Sequence, residues 1–282
     1  MSEGRNGHNG HQNLRTEQLG AVRILRIDRE DKLGALSSDL IAGLEREIRA
    51  IRQSRETRAV ILTGTGRGFV AGADVAEYHE TSTEAFEEYQ RSSRRLFDDL
   101  ERLPQPVIAA VNGFALGGGF ELALCCDFII SSEKARFGLP EIRLGLLPGG
   151  GGTQRLARRA GASWTKELVM TGRTVRPEEA LARGILTAVV EHEALRERAL
   201  GLAGALAEGA PIAVREAKRL IDDGLQQELG AALNNEQRVL SRLFSSPDGR
   251  EGIQAFIEKR PPVFGTQECD AHAEPESIEN GA

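Results

Sequence analysis

From residue 22 to residue 190 short apolar runs alternate with amphipathic helical stretches, and beyond that point the apolar runs stop. This switch limits the folds open to the chain. Residues 22–27 and 59–62 read as strands, flanking a helix with Leu40, Leu44, Ile48 and Ile51 on one face and Ser37 or Ser38 as its N-cap. Residues 106–111 and 127–131 are further strands, and between them Gly117-Gly118-Gly119 opens a short, very apolar helix. The alternation specifies an α/β domain. Arg176-Pro177-Glu178-Glu179 starts another helix with proline in its first turn, Gly184 ends it, and residues 185–190 form one more strand.

From about residue 192 to residue 259 the pattern is helical, with new starts at Pro211 and Ser246-Pro247 and breaks at Gly209 and Gly224. Ile212, Leu220, Leu225, Leu229, Leu233, Leu240, Leu243 and Phe244 supply more apolar surface there than a peripheral helix pair needs, which favours a subunit interface. The chain thus divides into a polar tail at residues 1–14, a catalytic core at 15–205, a helical region at 206–265 and a second tail at 266–282. Both tails are expected to be disordered.

Composition excludes several function classes. The 282 residues, 40% hydrophobic, are enough to bury a large core without disulfides. Net charge is −6 with 36 basic and 42 acidic residues interleaved, so no broad basic face for nucleic acid is expected. No run approaches the ~18 uninterrupted apolar residues of a membrane span, and the first dozen residues lack the apolar core of a secretory signal. An odd cysteine count, with Cys125 and Cys126 adjacent in an apolar run, fits buried packing in a reducing cytoplasm. The five histidines fall at no ligand spacing, no Cys-x-x-Cys occurs, and no Gly-x-Ser-x-Gly elbow is present. Neither metal nor cofactor is expected, and a serine hydrolase is disfavoured.

The residues that carry chemistry are Glu121, closing the run Leu116-Gly117-Gly118-Gly119-Phe120-Glu121, and Glu141, ending Phe137-Gly138-Leu139-Pro140-Glu141. Taken alone, the first reads equally as a helix-start carboxylate and the second as a surface residue after a proline. Gly68-Phe69-Val70-Ala71-Gly72-Ala73-Asp74 and Gly117-Gly118-Gly119 each follow a strand, so each loop can offer a backbone N–H to an oxyanion, or merely make a tight turn. A third run, Pro148-Gly149-Gly150-Gly151-Gly152-Thr153-Gln154-Arg155, lacks the lysine and hydroxyl spacing of a nucleotide-triphosphate loop and reads as a close-packed helix start.

Residues 68–74, 106–113, 116–121, 126–127, 137–141 and 146–156, with Phe256-Ile257-Glu258-Lys259-Arg260, together resemble the crotonases, the enoyl-CoA hydratase/isomerase superfamily. The resemblance implies a spiral of repeated ββα units and a C-terminal helical region that builds homotrimers or homohexamers. It implies an acyl-CoA thioester whose carbonyl sits between the N–H groups of Ala73 and Gly118. Ala71, Asp74 and Val75 would follow the pantetheine and adenine, and Lys259 would meet a CoA phosphate. Hydratases of this family carry both glutamates, which makes hydration of a trans-2-enoyl-CoA the leading reaction. The alternatives are Δ3,Δ2-enoyl isomerisation, decarboxylation and a non-catalytic acyl-CoA scaffold. Glu121 would activate the water and Glu141 would supply the proton at C2. Like-charge repulsion and partial burial predict that one of the two keeps its proton near neutral pH.

Three details depart from or extend that pattern. Asp28-Arg29-Glu30 stands where the family usually has Asn-Arg-Pro, which leaves the roles of Arg29 and Lys32 open. Phe120 occupies a position often held by a smaller residue, which would reshape the acyl pocket. Residues 75–97 are expected as a loop lining that pocket.

Overall fold

A computed structural model describes residues 13–77 and 79–265. Residues 1–12 and 266–282, which hold most of the two expected tails together with His8, His11, Cys269 and His272, lie outside the described residues. The chain forms two compact units, divided between Ala207 and Glu208.

The first unit opens with a hairpin in which β1 (Leu14–Leu19) pairs antiparallel with β2 (Val22–Ile27). β1 escapes a sequence reading because Arg15, Thr16, Glu17 and Gln18 break any apolar run, and an edge strand tolerates such polarity. Leu14, assigned to the tail on polarity, instead pairs with Ile27 and is buried. α1 (Ser38–Gln53) follows, and its N-cap is Ser37, whose hydroxyl accepts the Leu40 N–H at 3.3 Å. Its stripe of Leu40, Leu44, Ile48 and Ile51 is buried, each side chain contributing about 1.5–3 kcal/mol by leaving water.

A strand–strand–helix unit then repeats. β3 (Ala59–Gly64) and β4 (Gly68–Val70) lead into α2 (Thr83–Glu101), and β5 (Val107–Val111) and β6 (Phe114–Leu116) lead into α3 (Gly118–Leu124). β7 (Phe128–Ser132) and β8 (Arg136–Gly138) lead through a 3-10 turn at Pro140–Leu144 into α4 (Gly152–Ala160). The unit closes with α5 (Ala162–Thr171), β9 (Thr174–Val175), α6 (Pro177–Ala182), β10 (Ala188–Val190) and α7 (Leu195–Glu208). The first strand of each repeat joins a six-stranded sheet, β1-β2-β3-β5-β7-β10, and the second joins a four-stranded sheet, β4-β6-β8-β9. Among the described residues only the hairpin strand β1 and the short β9 run antiparallel to their neighbours. The result is a spiral of ββα units.

One face of the large sheet carries the main core, in which β3 and β5 pack with α1, α2 and α3. The other is covered by α7 through Leu195, Ala199, Ala203 and Ala207 against Ile24, Ile61 and Ile108. The short strands of the second sheet carry too few residues to show a period of two. Two readings need correction. The strand expected over 185–190 is confined to Ala188–Val190, with Ile185 and Leu186 buried ahead of it. Most of the segment expected as a loop over 75–97 is α2, whose buried face is Leu96, Phe97 and Leu100.

The second unit is helical. α8 (Pro211–Gly224) starts at its proline and ends at Gly224, and α9 (Leu229–Ser245) gives way to α10 (Pro247–Glu258) at Ser246-Pro247, as expected; the start of α9 at Leu229 and the end of α10 carry no such signal. α9 packs against both neighbours, yet Leu229, Leu240 and Phe244 remain exposed. Among the described residues no helix is long and apolar enough to cross a membrane.

Candidate active site

Three adjacent parallel strands set the site. β4 pairs with β6 at Gly68 with Phe114 and Val70 with Ala115, and β6 pairs with β8 at Leu116 with Gly138. Their carboxyl ends therefore lie side by side, where open parallel sheets commonly bind ligands. Ala71-Gly72-Ala73-Asp74 leaves β4, Gly117-Gly118 leaves β6, and Leu139-Pro140-Glu141 leaves β8.

The first two loops present backbone donors. Leu36 donates its N–H to Gly72 O and accepts the Asp74 N–H, each at 2.8 Å, forming a parallel bridge to Ala73. Such a bridge turns the N–H of Ala73 itself away from Leu36. Gly118 is the first residue of α3, so its N–H has no helical partner. Neither N–H meets an acceptor among the described residues. A Cβ on Gly118 would lie 3.9 Å from the Ala73 nitrogen, so the two donors border one small space. Gly117 holds φ 52°, and a Cβ there would sit 2.8 Å from Glu141 Oε1. Glycine at 117 lets the third loop close against the first two.

Glu121 lies one turn into α3 and is 3% exposed. Its Oε1 accepts two backbone N–H groups, from Gly150 at 2.8 Å and Gly152 at 2.7 Å. The third glycine run thus does more than start a helix: it forms a nest of amides around a carboxylate. Gly151 sits between the two donors at φ 99°, ψ 9°, and a Cβ on Gly150 would clash with Phe97. Burial leaves the Glu121 pKa raised, and the Gly152 and Gly150 amides and the Arg155 charge pull it only part of the way back.

Glu141 has fewer donors. Its Oε2 is buried with no hydrogen-bond partner among the described residues. Burial raises its pKa to about 7, with the Glu121 charge as a smaller contribution. The direction agrees with the expectation that one carboxyl holds its proton near neutral pH, with burial rather than like-charge repulsion as the main cause. This asymmetry equips the pair for opposite roles, base and acid, at one pH.

A family model described as enoyl-CoA hydratase/isomerase matches residues 17–267. The chain belongs to the enoyl-CoA hydratase/isomerase family. The short-chain-enoyl-CoA hydratase of Clostridium acetobutylicum is 42% identical over 88% of this chain and 95% of its own. The crotonyl-CoA hydratase of Syntrophomonas wolfei is 36% identical over 90% of this chain and 98% of its own. The crystal structure of an enoyl-CoA hydratase from Bacillus anthracis superposes with a TM-score of 0.89 at 40% identity, covering 91% of this chain and all of that one.

The remaining residues of this family member are placed as follows. Ala71 is half-buried and donates its N–H to Leu33 O, while Val75 is exposed at the start of a 3-10 turn. The Asp74 carboxylate is engaged within the protein: it accepts from Arg29 Nη2 at 2.6 Å and from the Ala76 N–H at 3.3 Å. Arg29 also donates to Ala35 O at 2.8 Å, so it ties the loop after β2 to the loop bearing Ala73. Lys32 lies in the 3-10 turn Glu30–Lys32 of that same loop. Phe120 does not line an open pocket; it is fully buried against Phe137, ring centroids 5.3 Å apart, because α3 turns successive side chains to different sides. Lys259 is exposed in the second unit at the left-handed C-cap of α10. Sequence reasoning missed Gly150, Gly152 and Arg155 as supports of Glu121, although four successive glycines before a helix were a usable signal.

Proposed function

We propose that the protein is an enoyl-CoA hydratase that adds water syn across the double bond of a trans-2-enoyl-CoA, giving a 3-hydroxyacyl-CoA. The observation that carries this reading is the unequal treatment of two glutamates, one buried and one half-buried, beside a pair of open backbone donors. Glu121, held by two amides, takes a proton from water as its oxygen bonds to C3. The C2–C3 π electrons shift toward the thioester carbonyl, whose oxygen gains charge between the N–H groups of Ala73 and Gly118. Glu141, which retains its proton to about pH 7, delivers it to C2. The carbonyl re-forms, and the proton gained by Glu121 resets the pair through solvent.

In this reading the backbone at Ala71, Asp74 and Val75 runs along the pantetheine and adenine, and Lys259 of a neighbouring subunit meets a CoA phosphate. The only CoA required is the substrate's own. The exposed apolar side chains of α9 suit a homotrimer or homohexamer. Cys125 and Cys126 are buried free thiols, as a reducing cytoplasm allows. The short-chain and crotonyl substrates named for its relatives make crotonyl-CoA the first thioester to try.

The test incubates the protein with a panel of 2-enoyl-CoA and 3-enoyl-CoA thioesters and weighs the products. Addition of one water to a 2-enoyl-CoA supports the hydratase. A moved double bond at unchanged mass assigns an isomerase, and tight thioester binding without turnover assigns a scaffold.

A further inference from the structure

We propose that Arg155 is a positioning residue for Glu121, clamping the glycine nest that aims this carboxylate. The inference rests on the hydratase reading for its kinetic consequences, and on geometry alone for its structural content.

Arg155 lies in the first turn of α4, and its guanidinium folds back over the helix start. Nη1 donates to Gly150 O at 2.6 Å. Nε and Nη2 grip the Glu101 carboxylate at 2.9 and 2.6 Å, and Nη2 also reaches Asp98 Oδ1 at 3.3 Å. The side chain is only 12% exposed. Every guanidinium nitrogen therefore has an acceptor, and the fork ties α2 to the loop.

The pinned atom matters. Gly150 O belongs to the peptide between Gly150 and Gly151, which lies between the two amides that hold Glu121 Oε1. Four successive glycines form the least self-determined kind of backbone, and an uncompensated rotation about ψ of Gly150 or φ of Gly151, which the pinned carbonyl resists, would end the convergence of the two amides on Glu121. The left-handed Gly151 also leaves room for the clamp, since a Cβ there would clash with Arg155 Nη1. The relay runs from Glu101 and Asp98 through Arg155 and Gly150 to Glu121.

Charge acts in the same direction. The ionisable groups that act on Glu121 and its neighbours are Arg155 from α4, Glu141 from the turn after β8, and Cys125 from its own helix, with Glu101 and Asp98 behind Arg155. Arg155 is the cation of this set, so it favours the anionic form of Glu121.

The test measures crotonyl-CoA hydration against pH for the full-length protein and for Arg155→Met, Arg155→Lys and Glu101→Gln. Arg155→Met is expected to lower kcat about tenfold or more with KM nearly unchanged, and to move the acid limb of kcat/KM up by about one pH unit. Arg155→Lys should restore the acid limb but not the rate. In a Glu121→Gln background, Arg155→Met should change the residual rate less than about twofold. A lowered melting temperature with an unmoved acid limb, or full additivity with Glu121→Gln, overturns the proposal. If Arg155→Met fails to fold, Arg155→Gln, which also removes the charge, is measured in its place with the same outcomes expected. If the wild-type protein hydrates no thioester, the hydratase reading fails by itself. The Glu121 titration, read by infrared difference between each protein and its Glu121→Gln partner, then decides the Arg155 proposal without turnover.

Discussion

Glu121 accepts the N–H of Gly152 at 2.7 Å, a contact that spans 31 positions of chain. With the Gly150 N–H it converges on one oxygen, whereas Glu141 Oε2 is buried without a donor. Two residues of the same type are thereby made different, since donors stabilise a carboxylate and unrelieved burial stabilises a carboxylic acid. The division of labour proposed for hydration follows from that difference.

The pH dependence of rate should report Glu141. Its acid form dominates below about 7, so hydration should fall as pH rises through that value. Glu141→Gln should remove this limb and slow the reaction about 10²–10⁴-fold at every pH, and Glu121→Gln should slow it as strongly. Crotonyl-CoA binding to either variant, measured calorimetrically, should change little.

The same group sets a stability trend of opposite sign to that of most carboxylates. The folded protein holds the Glu141 proton from the ordinary 4.5 up to about 7, so stability falls as pH rises across that window. Urea unfolding of wild type and Glu141→Gln at pH 4.5 and pH 8 should show the variant gaining about 1–2 kcal/mol relative to wild type at the higher pH, allowing for solvent screening of a half-buried group. An unchanged difference between the two pH values would contradict the assignment.

The Gly118 amide can be deleted without removing a side chain. Gly118 is the first residue of α3, a position that accepts proline. Gly118→Pro should preserve the circular dichroism spectrum while lowering kcat about 10²–10³-fold, the usual loss for one oxyanion donor. Retention of wild-type turnover would exclude this amide from the hole.

Arg29 and Asp74 form an ion pair with side chains 15% and 11% exposed. Breaking it from one side leaves a buried charge, so Arg29→Met and Asp74→Asn should each destabilise the fold by about 3–5 kcal/mol. The double variant should recover much of that loss in thermal unfolding, because neither charge is then left unpaired. Turnover should follow stability, since the pair braces the loop that carries Ala73.

Leu240 and Phe244 of α9 are 64% and 65% exposed. Introducing Leu240→Glu and Phe244→Glu together should shift the mass measured by light scattering toward a single chain, if this face joins copies. An unchanged mass would move the interface elsewhere.

Much of this was legible in the sequence. Apolar runs marked five strands of the large sheet, Ser37 and Pro247 marked helix starts, and the two glutamates with their glycine loops marked the site. These are local signals, because a strand's side-chain period, a helix cap and a glycine turn each act within a few residues. The second sheet was not legible, since its strands are only two or three residues long.

The sequence by itself determined which chemistry was available: two carboxyl groups, two loops able to offer amides, and a chain able to build an α/β core. Only the tertiary structure decided how the two glutamates differ. The Gly150 and Gly152 amides reach Glu121 from 29 and 31 positions away, and Glu141 is half-buried against the loop at Gly117. Proton affinity depends on desolvation and on donors within a few ångströms in space, and neither quantity exists until the backbone has folded.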